Sequence, residues 1–340
     1  MVFCALSEAK GMDIKMIKKI IVLAGVIATF SFILVSCNFQ KGEEISKEEK
    51  ISKDSKSQTE KEKYISFTLT RQEDEGLKSY TYTYDLKEEK LTKRVQLDYY
   101  AQYPLAVYSA FDDSVYYSYR DDEGCDQLWK IDLKSKKKEC LTTSIFAINY
   151  IIPIKDKLYI AAVKSKERAI GLFEYSHKKL TRISKNKDDF VWRVRVNPDI
   201  DKIAYNTYSQ SELDKNMEEG DGSGDGIGIN TIHVLDLNTN QVKTAGKTPK
   251  GYITDMGIDS DENIYYSLGK FYKVGEENAP DEEWMNLDIY ALIYMSNDEI
   301  YYLDGEGRLA KYDKVSKENT ILYELETEQE AINNAIILYK

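Results

Sequence analysis

Arg193 and Arg195, in the run Phe190-Val191-Trp192-Arg193-Val194-Arg195-Val196, are two cations placed to act together. Two positions apart in an extended chain, they leave on one face. If this run is the innermost strand of a ring, that face lies near a central channel. Two guanidiniums there could clamp an anionic group bidentately. The plainer use of both is ion pairing with acids of a neighbouring unit. Asp221, Ser223 and Asp225, followed by Gly226, form a second cluster in the segment Glu218–Asn230. Oxygens at alternate positions can converge on one hard cation, and the glycine permits a sharp turn. Calcium is the ion such a loop would take, with Glu219 as a further donor. The plainer reading is a flexible, acidic, glycine-rich loop, and no other cofactor is expected. Trp284 is a third candidate, as contact area for a ligand or as ordinary packing between repeats.

The acidic cluster resembles the opening of an EF-hand loop, but Ile232 stands where the bidentate glutamate belongs, and no flanking helices are expected. The two histidines carry no catalytic pattern. His177, in Tyr175-Ser176-His177-Lys178-Lys179, reads as a solvated turn residue, and His233, in Ile232–Leu237, as a packed strand residue. The chain has no Gly-x-Ser-x-Gly elbow and no His-Glu-x-x-His helix. Carboxylates and tyrosines are too abundant for a catalytic pair to stand out, so no catalytic residue is named.

These residues must be positioned by strands. From Tyr64 onward, β-branched and aromatic residues, above all tyrosine, of which the chain has 27, alternate with polar ones in short runs. That is a period-two strand pattern. Glycine and proline are sparse, so Asp, Asn, Lys and Ser must make most turns. The runs recur as six units of about 46 residues. Ser114–Ser118, Leu128–Leu133 and Cys140–Thr142 form one unit, echoed from Lys157, Lys202, Asn263 and Glu299 and preceded by the unit at Tyr64. Five units carry a further leading strand: Leu105–Phe111, Phe146–Ile154, Phe190–Val196, Tyr252–Ile258 and Ile289–Met295. The first lacks one, and Ala331–Tyr339 is left over at the C-terminus. The expected fold is all-β: a β-propeller of six blades, with seven as the alternative, closed by the C-terminal strand completing the first blade. A small sheet has two apolar faces, and only stacking neighbours in a ring covers both. A β-sandwich is the alternative architecture.

Val196-Asn197-Pro198-Asp199-Ile200-Asp201-Lys202-Ile203-Ala204-Tyr205 resembles the Pro-Asp-Gly turn and Lys-Ile-Ala-Tyr-like strand of the TolB-like, WD-related propellers, with Ile200 in place of the glycine. Ile258–Tyr266 is a looser copy without the proline. The resemblance implies a fold and a habit of binding partners, not a reaction.

The N-terminus resembles that of bacterial lipoproteins. Lys18 and Lys19 precede the apolar run Ile20–Val35, and Leu34-Val35-Ser36-Cys37 is similar to a lipobox. The resemblance implies that residues 1–36 are a removed signal peptide and that Cys37 is lipidated. The mature chain would then be held at the extracytoplasmic face of a cell membrane. An uncleaved anchor is the alternative, for which Ile20–Val35 is short. Residues 1–15 fit no signal pattern, so Met12 or Met16 is an alternative start. Residues 37–63, rich in charge, read as a disordered tether, and residues 64–340 as the propeller domain.

Net charge is −11, and −13 without residues 1–36, which carry four lysines and two acids. That excludes nucleic acid as an expected partner and argues against close electrostatic binding to anionic lipid. Cys125 and Cys140 flank an expected hairpin in which Cys140 faces about Ile131. The cysteines are then too far apart to bridge, and two free thiols are expected. The functional expectation is a non-catalytic module binding a cell-surface protein or glycan, with Gln210–Asn230 and Glu276–Trp284 as contributing segments. An extracellular hydrolase or lyase acting on envelope glycan or peptide, and a ligand-sensing partner of a transporter, are the alternatives.

Overall fold

The computed structural model describes residues 62–98, 104–219, 228–276 and 283–340. Six antiparallel sheets follow one another along the chain. The first holds β1 (Lys63–Glu73), β2 (Gly76–Asp85) and β3 (Lys90–Asp98). The second is β4 (Ala106–Ser109), β5 (Ser114–Arg120), β6 (Asp126–Asp132) and β7 (Lys138–Cys140). The third is β8 (Ile145–Ile154), β9 (Lys157–Lys164), β10 (Gly171–Ser176) and β11 (Lys179–Arg182). The fourth is β12 (Asp189–Asn197), β13 (Lys202–Ser209), β14 (Ile229–Asp236) and β15 (Gln241–Lys250), with helix α1 (Gln210–Glu219) between β13 and β14. The fifth has three strands among the described residues, β16 (Asp255–Ile258), β17 (Ile264–Ser267) and β18 (Phe271–Lys273). The sixth is β19 (Ile289–Met295), β20 (Glu299–Asp304), β21 (Leu309–Asp313) and β22 (Glu318–Tyr323). The last strand, β23 (Glu330–Tyr339), pairs antiparallel along β1 from Lys63↔Tyr339 to Arg71↔Glu330 and stands innermost in the first sheet. The fold is therefore a six-bladed β-propeller closed by its C-terminal strand.

Ring packing explains the burial of β1. All residues from Tyr64 to Thr70 are buried. Ile65, Phe67 and Leu69 pack with Ile293, Tyr301 and Leu309 of the sixth blade. On the other face, Ser66 Oγ accepts from Tyr108 N at 2.9 Å, and Thr68 Oγ1 donates to Ala106 O at 2.8 Å, both in the second blade. Period-two alternation thus sends successive side chains to different neighbours.

Turns lacking glycine are built as expected. Asp85, Asp132, Asp236 and Asp313 each end a third strand, and each accepts hydrogen bonds from backbone amides two or three residues on. Left-handed conformations in these and neighbouring turns fall on Glu89, Lys136, His177, Lys178, Asn240 and Lys317.

Innermost strands all start at one end of the ring, called here the upper face, and finish at the lower face. The antiparallel order puts β1–β2, β5–β6 and β13–β14 connections on the upper face. Lys63 and Tyr339 lie at the lower face.

One sequence expectation needs correction. Cys140 pairs with Trp129, not near Ile131, because the β6–β7 hairpin turns about Lys134–Ser135, one residue earlier than the strand pattern shows. Cys125 and Cys140 are both free thiols.

Candidate ligand-binding face

Four of the six innermost strands are interrupted by register shifts. A bulge leaves a residue unpaired and re-aims its side chain. Near the upper ends of β8, β12 and β19 the extra residues are Phe146, the pair Trp192-Arg193, and Tyr290. Phe146 is 45% exposed and Tyr290 71%, and Tyr252, in the connection leading to β16, is 46% exposed. The upper mouth of the ring thus carries aromatic residues from the third, fourth, fifth and sixth blades.

The fourth blade anchors this rim. Trp192 donates from Nε1 to Ile253 O at 2.9 Å and meets the Tyr252 ring edge-on at 4.9 Å between centroids. Phe190 stacks on Tyr208 at 4.9 Å. Arg193 lies over the Trp192 ring at 4.8 Å and donates from Nε to Thr254 O at 2.8 Å. It makes no ion pair among the described residues.

A buried amide relay holds the bulge. Asn206 Oδ1 accepts from Arg193 N at 2.8 Å, its Nδ2 donates to Asn230 Oδ1 at 2.8 Å, and Asn230 Nδ2 donates to Gly251 O at 2.8 Å. Asn206 and Asn230 are fully buried, so a lost partner would leave a desolvated amide. The relay ties the Trp192-Arg193 bulge to the chain leading to Tyr252.

Arg195 and Arg193 have different partners. Arg195 Nη2 sits 2.6 Å from Asp255 Oδ1 on the innermost strand of the fifth blade, with side chains 15% and 5% exposed. Asp255 also accepts from its neighbour Met256 N at 2.8 Å and from Leu292 N of the sixth blade. Burial pushes the Arg195 pKa down, but Asp255 and Tyr150 together outweigh it and raise it.

Trp284, 3% exposed, packs against Tyr265 at 5.3 Å and Phe271 at 5.6 Å. It lies in the connection between β18 and β19. His233 stacks on Tyr205 at 4.9 Å, and its Nε2 is 2.9 Å from the Thr207 hydroxyl. Burial pushes its imidazole pKa down. His177 occupies a two-residue turn between β10 and β11. Asp221, Ser223, Asp225 and Cys37 lie outside the described residues. Helix α1, absent from the sequence expectation, fills the start of the fourth-blade insertion. Ser209 Oγ accepts from Glu212 N at 3.0 Å, so Ser209-x-x-Glu212 was an available capping signal.

The lower end of the channel is crossed by side chains. Asp199, in the turn after β12, accepts from Lys63 Nζ at 2.8 Å, from Tyr339 Oη at 2.5 Å and from Tyr294 Oη. Asn197 Nδ2 donates to Ile258 O at 3.0 Å and Met295 O at 3.1 Å. The fourth blade thereby contacts the first, fifth and sixth at this end.

No protein-family model matches this chain, and no curated protein matches it. Solved structures do share its fold. A chain from the crystal structure of a nidogen/laminin complex superposes with a TM-score of 0.50 at 7% identity, covering 81% of this chain and 98% of that one. TolB from Acinetobacter baumannii gives a TM-score of 0.50 at 14% identity, covering 81% of this chain and 66% of that one. These likenesses support a TolB-like β-propeller fold and carry no further property.

Proposed function

We propose that this protein is a non-catalytic binding module, held at the extracytoplasmic membrane face through lipid on Cys37, that grips a cell-surface protein through its upper mouth. The observation that carries this reading is the rim of Phe146, Trp192-Arg193, Tyr252 and Tyr290, drawn from four blades. Tyr, Trp and Arg are the residues enriched where partners bind most tightly. Loops and strand ends brought together from distant segments are a usual seat of recognition. The fold is shared with a chain from a protein–protein complex. Arg193 would meet a carboxylate or carbonyl of the partner, with Trp192 and Tyr252 beside it.

Affinity capture from intact cells tests the reading, using wild type beside a Phe146→Ala/Tyr252→Ala/Tyr290→Ala variant and a parallel turnover screen on envelope glycans and peptides. A protein captured by wild type and lost by the variant supports the module. Turnover abolished by one carboxylate change would replace it with the enzyme. A glycan retained by the rim would change the class of partner.

A further inference from the structure

We propose that the lower face of the second and third blades docks on an anionic membrane surface. Lys134, Lys136, Lys137 and Lys138 occupy the turn between β6 and β7 and the start of β7. Lys178 and Lys179 occupy the turn between β10 and β11, and Lys155 the turn between β8 and β9. All seven are exposed. None makes an ion pair with a described residue, whereas Lys130 and Lys157 nearby are paired with Asp112 and Glu174. The two blades are neighbours, with β5 and β6 packed against β8. Of the acids in these turns, Asp132 is already engaged by the Ser135 amide and hydroxyl. Asp156 and Glu139 are exposed.

The placement is uneven for a chain with net charge −11. Three upper-face connections carry the opposite sign: Glu73-Asp74-Glu75 at the β1–β2 turn, Asp121-Asp122-Glu123 between β5 and β6, and four glutamates in 324–330 leading into β23. An anionic bilayer attracts the lysine turns of the second and third blades and repels these three acidic connections. Net charge, which argues against lipid contact, averages over this segregation.

The chain itself argues for a membrane as the occupant. β1 begins at the lower face, at Lys63, so whatever precedes it joins there. About 25 residues separate Cys37 from Lys63, so the anchor proposed for Cys37 lies close in sequence to the lower face. A lipid on Cys37 would keep the lysine turns close enough to reach the bilayer surface, where their attraction acts within about one Debye length. This step rests on the lipid-anchored part of the proposed function. Each lysine close to an anionic leaflet strengthens attachment by roughly five-fold. Docked this way, the aromatic mouth faces away from the membrane.

The test uses the full chain, reconstituted through its N-terminus into phosphatidylcholine vesicles with and without phosphatidylglycerol. An amine-acylating reagent is applied, and each lysine is read by mass spectrometry. We expect Lys134–Lys138, Lys178 and Lys179 to be protected several-fold in the anionic vesicles, with protection lost at high salt and upper-face Lys166 unchanged. A Lys134→Gln/Lys136→Gln/Lys137→Gln/Lys138→Gln variant should lose protection at Lys178 and Lys179. Equal modification in both vesicle types overturns the proposal. Protection by soluble polyphosphate without protection by vesicles also overturns it, assigning the lysines to a soluble polyanion. Recovery of protein with both vesicle types reports the anchor, so failure of the anchor and failure of the lysine surface are read separately.

Discussion

Lys63 of the first blade places its ammonium 2.8 Å from the carboxylate of Asp199, which belongs to the fourth blade on the opposite side of the ring. Tyr339, the last residue of β23, donates to the same carboxylate. One acid therefore links the strand that opens the propeller, the strand that closes it and the blade facing both. Burial pushes the Asp199 pKa up, but Lys63, Tyr294 and Tyr339 outweigh it and hold the carboxyl below its ordinary range.

Replacing Asp199 with alanine should cost about 2–3 kcal/mol at neutral pH, since three donors lose their acceptor. Its folded pKa is depressed, so its contribution is complete above the ordinary carboxylate pKa near 4 and drains away as pH falls through the folded value. Urea denaturation at pH 7 and again near pH 3 should show wild type and Asp199→Ala converging in acid. A constant gap at both pH values would contradict this.

Removing β23 should abolish the cooperative fold. Ile332, Ile336, Ile337 and Leu338 are buried, and burying four such side chains is worth about 6–12 kcal/mol, close to a whole domain's stability. A chain ending at Gln329 should show no sharp thermal transition by calorimetry.

Arg195 and Asp255 should behave as a buried pair. Asp255→Ala alone should cost roughly 3–5 kcal/mol, because it strands a guanidinium and the Leu292 amide. An Arg195→Met/Asp255→Leu double change should cost clearly less than the two single changes together, as read by chemical denaturation.

Trp284 and Tyr290 should separate packing from recognition. Trp284→Ala should destabilise by about 3–5 kcal/mol. Tyr290→Ala should leave the melting midpoint within error of wild type, as expected of an exposed side chain, while weakening partner capture. A stable Trp284→Ala protein would mean that its ring does not fill the space between the fifth and sixth blades.

Blade number, strand positions and ring closure were legible because each sheet buries two faces and each innermost strand repeats at nearly constant spacing. Ala331-Ile332-Asn333 through Tyr339 stood out as an apolar run with no partner before it in the chain. The mouth was less legible. A bulge breaks alternation by one residue, and Ile145-Phe146-Ala147 reads like any buried strand. Ile289-Tyr290-Ala291-Leu292-Ile293-Tyr294, apolar without alternation, was the nearest signal that a strand could not keep a simple register. Arg193 and Arg195 were found as a pair, but spacing alone could not show that one is neutralised by Asp255 while the other meets no acid among the described residues. Asp199 drew notice as part of a turn, yet its reach to Lys63 and Tyr339 spans more than a hundred residues and left no local trace.

Among the described residues the fifth blade carries three strands where the other five carry four, yet the ring still shuts. Angular closure is thus decided near the axis, and the outer circumference is free to vary. A propeller of this design can lose or gain material at its periphery, sector by sector, without renegotiating how many sectors it has.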